Sequence, residues 1–223
     1  MPDLTGRQFA LVAAAALAAI TLAVGIYGLL TGPRHDRPAS STGELRSRPD
    51  QTPQPASSLD RDPSAQQLPR TEDAVRYARA VATALFDWDT ASGYLAADYE
   101  APVMADADPS GEETAGLIDD IGTYLPTVEQ WLDLATMNVS QTLAIESATV
   151  PAGWQSIVAN AHGQLRPGTV AVTITGTRER TGTWNGAHAA KTSPVAFTVF
   201  VACRPAFDRC HILRLSQLDN PLR

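Results

Sequence analysis

The amino-acid sequence predicts an α+β fold in which helices pack on one face of a four-stranded antiparallel sheet. Two patterns along the chain support this prediction. Between residues 71 and 140, apolar side chains recur with the 3.6-residue period of amphipathic helices. After residue 140, they alternate with the period of two that half-buried strands show. Helices that precede a run of consecutive strands are typical of the α+β class.

The helical part of the domain begins at Thr71, which we expect to cap the first helix. Glu72 and Asp73 follow it, and acidic side chains are favourable at the positive end of a helix. This helix is expected to end near Trp88. The further expected helices are residues 95–104, residues 112–124, one beginning at Thr127, and a short helix or a loop at residues 152–161.

The strands are indicated by runs of alternating side chains. In the second run, Val170, Val172 and Ile174 fall on one face and threonines fall on the other. The Asn185-Gly186 pair predicts a tight turn between the second and third strands. The four expected strands are residues 142–147, 169–177, 195–203 and 211–218.

The N-terminal region has a different character from the domain. After a short tail (1–8), residues 9–30 form an uncharged run of 22 residues. As a helix this run spans roughly 33 Å, so we expect a transmembrane helix, with a cleaved signal peptide as the alternative. Residues 31–70 are rich in Pro and Ser and predict a disordered linker. The folded domain is therefore expected at residues 71–223.

Charge limits the kinds of partner that the domain can have. Residues 71–223 carry ten Lys and Arg against eighteen Asp and Glu, a net charge of -8. Backbone phosphates require a basic surface, so we expect no direct binding of nucleic acid.

The sequence contains no convincing catalytic or metal-binding pattern. Asp106, Asp108 and Ser110 resemble the start of a calcium loop, but Leu117 stands where that loop requires a bidentate glutamate. None of the four histidines has a His or Cys partner at zinc-ligand spacing. We therefore expect no catalytic residues, no metal and no cofactor.

The only two cysteines, Cys203 and Cys210, end one expected strand and begin the next. If they face each other across the pair, Val201 lies opposite Ile212, and a disulfide can form. The alternative is two buried free thiols. A stable disulfide requires an oxidising compartment, which favours a C-terminal domain outside the cytoplasm. The arginines that follow the apolar run favour the opposite orientation.

The same strand register places Phe200 opposite Leu213 on the other face of the pair. Both faces would then carry large apolar side chains, and the helices can cover only one of them. We therefore hypothesise self-association through the sheet. Trp184 precedes the Asn185-Gly186 turn and is a further candidate for an interface.

Four segments of the domain resemble a known group of proteins: ALFDWDTASGYLAADY, GEETAGLIDDIGTYLP, AFTVFVAC and CHILRLSQLDNPLR. They resemble membrane-anchored proteins of conjugative elements from high-GC Gram-positive bacteria, similar to the TcpC and VirB-eight type scaffold components of type IV secretion. The resemblance covers residues 71–223 and the order of tail, helix, linker and domain. It implies a nuclear-transport-factor-two-like fold, in which helices are cradled by a curved sheet. It also implies an assembly role at the cell membrane and no catalytic residue.

We therefore expect a single-pass, non-enzymatic membrane component of a conjugative type IV secretion apparatus. Its partners would be other membrane proteins of the transfer machine and copies of itself. One alternative is a small-ligand or lipid-binding protein, as in Mce-associated membrane proteins. The other alternative is an enzyme of the ketosteroid-isomerase type, for which Asp87 and Asp98 are the candidate acids. Both alternatives require a solvent-reachable pocket between the helices and the sheet.

Overall fold

A computed structural model describes residues 62–223, which form an α+β domain with helices and a curled antiparallel sheet. The expected tail (1–8), transmembrane helix (9–30) and most of the linker (31–70) lie outside the described residues. Among residues 62–223, no helix combines the length and hydropathy that crossing a bilayer requires.

Five α-helices and five strands succeed one another in the part of the chain that the structure describes. A single 3-10 turn, Pro63–Ala65, precedes them. In chain order the elements are α1 (Ala74–Phe86), β1 (Trp88–Asp89), α2 (Ala96–Ala105), α3 (Thr114–Ile121), α4 (Val128–Ala135), β2 (Ser140–Thr149), α5 (Trp154–Asn160), β3 (Thr169–Trp184), β4 (Ala187–Ala202) and β5 (His211–Leu215).

The sheet has five strands, so the prediction of four was wrong. Their spatial order is β1-β2-β3-β4-β5, and each strand is antiparallel to the next. The missed strand is β1, in which Trp88 pairs with Gln141 and Asp89 pairs with Ser140. A strand of two residues is too short to show an alternating pattern, which explains why the sequence did not reveal it.

The β3–β4 hairpin is much longer than predicted, with 16 residues in each strand. It is closed by Asn185 and Gly186, whose φ angles of 50° and 77° are those that a type I′ turn requires. The turn prediction is therefore confirmed. The outer half of the hairpin has few large apolar side chains because it extends beyond the core, so no hydrophobic alternation marked it as strand.

Helix capping follows local side-chain chemistry. The first helix is capped by Asp73, not by Thr71, because the Asp73 carboxylate accepts hydrogen bonds from the backbone N–H groups of Val75 and Arg76. The helix expected to begin at Thr127 is α4, and Thr127 is its N-cap residue. The Thr127 hydroxyl accepts from the N–H of Gln130, and the Gln130 side chain accepts from the N–H of Thr127.

The core lies between the helices and the inner face of the sheet, and aromatic rings fill it. Phe86 of α1 stacks on Phe197 of β4 with ring centroids 5.1 Å apart, and Tyr124 meets both rings edge-on. Trp88 and Trp131 form a second contact at 5.3 Å. The space between helices and sheet is therefore occupied by side chains at its centre.

The outer face of the sheet is covered by the chain itself. Trp154 of α5 packs on Phe200, whose side chain points away from the helical layer. The C-terminal tail crosses the same face, where the N–H of Leu222 donates to the Thr198 hydroxyl and its carbonyl accepts from the Thr173 hydroxyl. Within residues 152–161, expected to be a short helix or a loop, the helix α5 (Trp154–Asn160) thus covers part of this face.

Candidate functional site

A disulfide joins Cys203 to Cys210, at the base of the loop between β4 and β5. The predicted pairing of Val201 with Ile212 is confirmed. Phe200, however, pairs with Arg214 and not with Leu213, because the register shifts by one residue between Phe200 and Val201. Leu213 is the additional residue of a β-bulge.

The three residues proposed as an interface have different environments. Trp184 is 62% exposed at the end of the hairpin. Leu213 is only 6% exposed, and Phe200 is partly covered by Trp154. Phe200 and Leu213 therefore offer little surface to another chain, and self-association stays a prediction that needs a different surface.

Protein groups already hold the two carboxylates of the calcium-like loop. Asp106 accepts hydrogen bonds from the Tyr77 hydroxyl at 2.6 Å and from Arg209. Asp108 binds the Arg166 guanidinium through both oxygens, at 2.9 and 3.1 Å. Within residues 62–223 no group of three His, Cys, Asp or Glu side chains is arranged to hold a metal ion. The loop is thus tied to the domain by ion pairs.

The pKa of the Asp108 carboxyl group reflects these contacts. Burial alone would raise the pKa of Asp108, but hydrogen bonds from Ser110, together with the charge of Arg166, lower it. The ionised form of the Asp108 carboxyl group is therefore the one that the folded domain stabilises.

The two acids considered for catalysis have structural contacts. Asp87 follows α1, and its carboxylate accepts the N–H of Leu143 at 2.8 Å. Burial raises the pKa of Asp87, and the hydrogen bond from Leu143 opposes this shift. Asp98 accepts the N–H of Leu95 at the start of α2. Neither acid lines the cleft described next.

A cleft with two arginines lies between α4 and the inner face of β3. Arg178 and Arg180 are both partly buried there, one strand period apart. The Arg178 guanidinium donates to the Ser193 hydroxyl, and the Arg180 guanidinium donates to the Gln141 side chain at 2.7 Å. Arg180 also lies over the Trp88 ring, 5.3 Å from its centroid. These neutral contacts orient both guanidinium groups.

The arginine pair differs from the other partly buried arginines of the domain. Arg166, Arg209 and Arg214 each form an ion pair with a carboxylate. Among residues 62–223, neither Arg178 nor Arg180 has a carboxylate within 4.0 Å. Burial lowers the pKa of Arg180, and the neighbouring positive charge of Arg178 adds to this shift. Two adjacent cations in an acidic domain thus lack a charged partner.

The cleft consists of two hollows that share Leu134 and Arg180. The polar hollow, of about 350 Å³, contains both arginines. The apolar hollow, of about 340 Å³, lies under the projecting hairpin. The further lining residues of the polar hollow include Tyr124, Leu125, Gln130, Asp133 and Leu218. Those of the apolar hollow include Met137, Val139, Gly182, Trp184 and Ala189.

The alternation of side chains along β3 is a sequence signal for this site. Arg178 and Arg180 lie at even-numbered positions of β3, on the same face as Val172 and Ile174, whose side chains point to the core. Two arginines on the buried face of a strand need partners or a ligand. The residues of α4 that complete the cleft are distant in sequence, so only the folded chain brings them to the arginines.

Comparison with protein-family models, with curated proteins and with solved structures yields no match to this chain.

Proposed function

We propose that this protein is a membrane-anchored assembly component of a conjugative type IV secretion apparatus, acting through protein contacts outside the cytoplasm. The resemblance of residues 71–223 to TcpC and VirB-eight type components motivates the proposal. Helices on one face of a curled antiparallel sheet are compatible with the nuclear-transport-factor-two-like fold that the resemblance implies. The Cys203–Cys210 disulfide supports an oxidising compartment.

The observation that carries the proposal is the open edge of the projecting hairpin. β3 and β4 stay paired as far as Trp184 and Ala187, whereas β2 reaches only Thr181. On the other side, β5 pairs with residues 199–202, and the tail adds a hydrogen bond to Ala196. The outer edge of β4 between residues 187 and 194 is therefore not covered by β5 or the tail.

The backbone groups at this edge can be identified from the hydrogen bonds nearby. The carbonyls of Ala196 and Thr198 face away from β3, since they accept from Asp219 and Ser216. Alternate residues of a strand point the same way, so the N–H and C=O groups of His188, Ala190 and Thr192 have no hydrogen-bond partner within residues 62–223. An exposed edge of this kind can add a strand from another chain. A second copy would pair its own β4 there across a two-fold axis.

The interior of the domain favours a contact role over catalysis. The stacked and edge-on contacts of Phe86, Tyr124 and Phe197 fill the centre of the space between helices and sheet, and neither candidate acid lines the cleft that remains beside α4. Asp87 and Asp98, the candidate acids, are instead hydrogen-bonded to backbone N–H groups.

Site-specific photo-crosslinking in conjugating cells tests the proposal. A photo-reactive amino acid replaces Trp184 at the hairpin tip, and the matched control carries it at Arg79, an exposed position on α1. We expect crosslinks from position 184 to a second copy or to other transfer proteins, and few from position 79. Deletion of the protein should abolish plasmid transfer. Normal transfer on deletion, with recovery of this protein alone from membranes, would contradict the proposal.

A further inference from the structure

We propose that the cleft between α4 and β3 binds a small amphipathic anion, with its carboxylate or phosphate head on Arg178 and Arg180 and its apolar body under the β3–β4 hairpin. This inference goes beyond the assembly role and does not depend on it.

The head-group site follows from the charges. A partly desolvated guanidinium is normally paired with a carboxylate, as it is at Arg166 and Arg214 of this domain. In the part of the chain that the structure describes, the hydrogen-bond partners of Arg178 and Arg180 are neutral: the Ser193 hydroxyl and the Gln141 side chain. A guanidinium offers five N–H donors, so both arginines keep donors for an anion, which a carboxylate or a phosphate can accept in pairs.

The body site follows from the lining of the adjacent hollow. Leu134, Met137, Val139, Trp184 and Ala189 give it mainly apolar walls. Leu134 and Arg180 belong to both hollows, so an anion bound at the arginines is directly next to the apolar surface.

The volume of the cleft and the charges that line it select the class of ligand. The two hollows, about 350 and 340 Å³, lie within the range of small-molecule sites. Asp133 also lines the polar hollow and disfavours a second negative charge near α4. A molecule with one anionic head and one apolar chain matches both halves, whereas a simple anion would leave the apolar half in water.

Tryptophan fluorescence of the full-length protein provides the test. Trp184 is exposed in the cleft, while Trp88, Trp131 and Trp154 are buried, so a ligand under the hairpin changes chiefly the Trp184 emission.

The protein is held in phosphatidylcholine nanodiscs and titrated with octanoate and with octyl phosphate. Acetate and 1-octanol supply the head and the body separately. We expect a saturable change with at least one of the two amphiphiles, at concentrations at least tenfold below those that acetate or octanol require. The more effective head group then identifies the chemistry of the natural ligand.

Paired variants locate the site. R178Q/R180Q should raise the half-saturating concentration at least tenfold, because each lost charge-assisted hydrogen bond weakens binding substantially. R76Q/R79Q removes the same charge from exposed positions on α1 and should bind as the wild type does. If circular dichroism shows that the double variant is unfolded, R178Q alone serves, since among residues 62–223 the Arg178 guanidinium donates to a single group, the Ser193 hydroxyl. Three results would each overturn the proposal. The cleft and control variants could bind with equal affinity, acetate could be as effective as octanoate, or no saturable change in fluorescence could occur.

Discussion

Trp154 of α5 packs on Phe200 of β4, with ring centroids 6.2 Å apart, on the face of the sheet opposite the main helical layer. Trp154 is only 4% exposed, although the rest of its helix faces solvent. This contact explains why the chain carries a helix between β2 and β3. The helix supplies a large ring for an outer face that would otherwise expose apolar side chains.

Replacement of Trp154 by alanine should lower the free energy of unfolding by about 3 kcal/mol, because a buried ring is lost and a cavity remains. Urea denaturation measures the change. Trp184→Ala is the matched control, since Trp184 is 62% exposed, and its effect should stay within about 0.5 kcal/mol. Equal losses in the two variants would show that α5 does not stabilise the sheet.

The Arg166–Asp108 pair should stabilise the loop after α2. The Asp108 side chain is 1% exposed and that of Arg166 is 20% exposed. Asp108→Ala should cost about 2 kcal/mol, because it removes the buried carboxylate that binds Arg166 through both oxygens and leaves only the exposed Glu112 to pair with it. Glu112 binds the same arginine but is 75% exposed, so Glu112→Ala should cost less than about 1 kcal/mol. Chemical denaturation of both variants makes the comparison, and a larger loss at Glu112 would contradict it.

Asp108 should also make stability depend on pH. Its pKa is lowered in the folded state, so its contribution is complete above the ordinary carboxyl value. That contribution is lost as pH falls below about 4 and through the folded value. In denaturation series between pH 7 and pH 2, the wild type should lose more stability than Asp108→Asn over this acidic range. Parallel curves for the two proteins would contradict the assignment.

Asp87 should have the opposite dependence. Burial raises its pKa, so the ionised carboxylate is unfavourable in the folded state, and stability declines as pH rises from about 4 through the folded value. Asp87→Asn keeps an acceptor for the Leu143 N–H and removes the charge. This variant should be at least as stable as the wild type at pH 7, and the decline should disappear. Asp119→Asn, at an exposed position of α3, removes the same formal charge and is the control, in which the decline due to Asp87 should persist.

The disulfide should be detectable and stabilising. Thiol titration of the unreduced protein, unfolded in denaturant, should find no free thiol, since Cys203 and Cys210 are bonded. The double serine variant should lose about 2 to 3 kcal/mol of unfolding free energy on the chain-entropy model for a short loop. Two titratable thiols in the untreated protein would remove the structural argument for an oxidising compartment.

Much of the architecture could be predicted because local patterns determine it. The helical period precedes the strand period along the chain, and the Asn185-Gly186 turn and the start of a helix at Thr127 depend on neighbours within a few residues. Two predictions failed because the deciding contacts come from residues distant in the sequence. β1 exists because Gln141 and Ser140 supply its partners, and a bulge at Leu213 altered the pairing of Phe200. Neither feature leaves a repeating signature in the sequence.

The sequence by itself determined the α+β class, the order of the four longer strands and the hairpin turn, because each depends on spacing along the chain. Only the tertiary structure decided what covers the outer face and which arginines lack a carboxylate. The physical reason is that burial and ion pairing are set by distances in space. Arg178 and Arg180 are chemically identical to the arginines that are paired with acids. What distinguishes them is their position between α4 and the hairpin, beyond the 4.0 Å reach of any acidic side chain in residues 62–223.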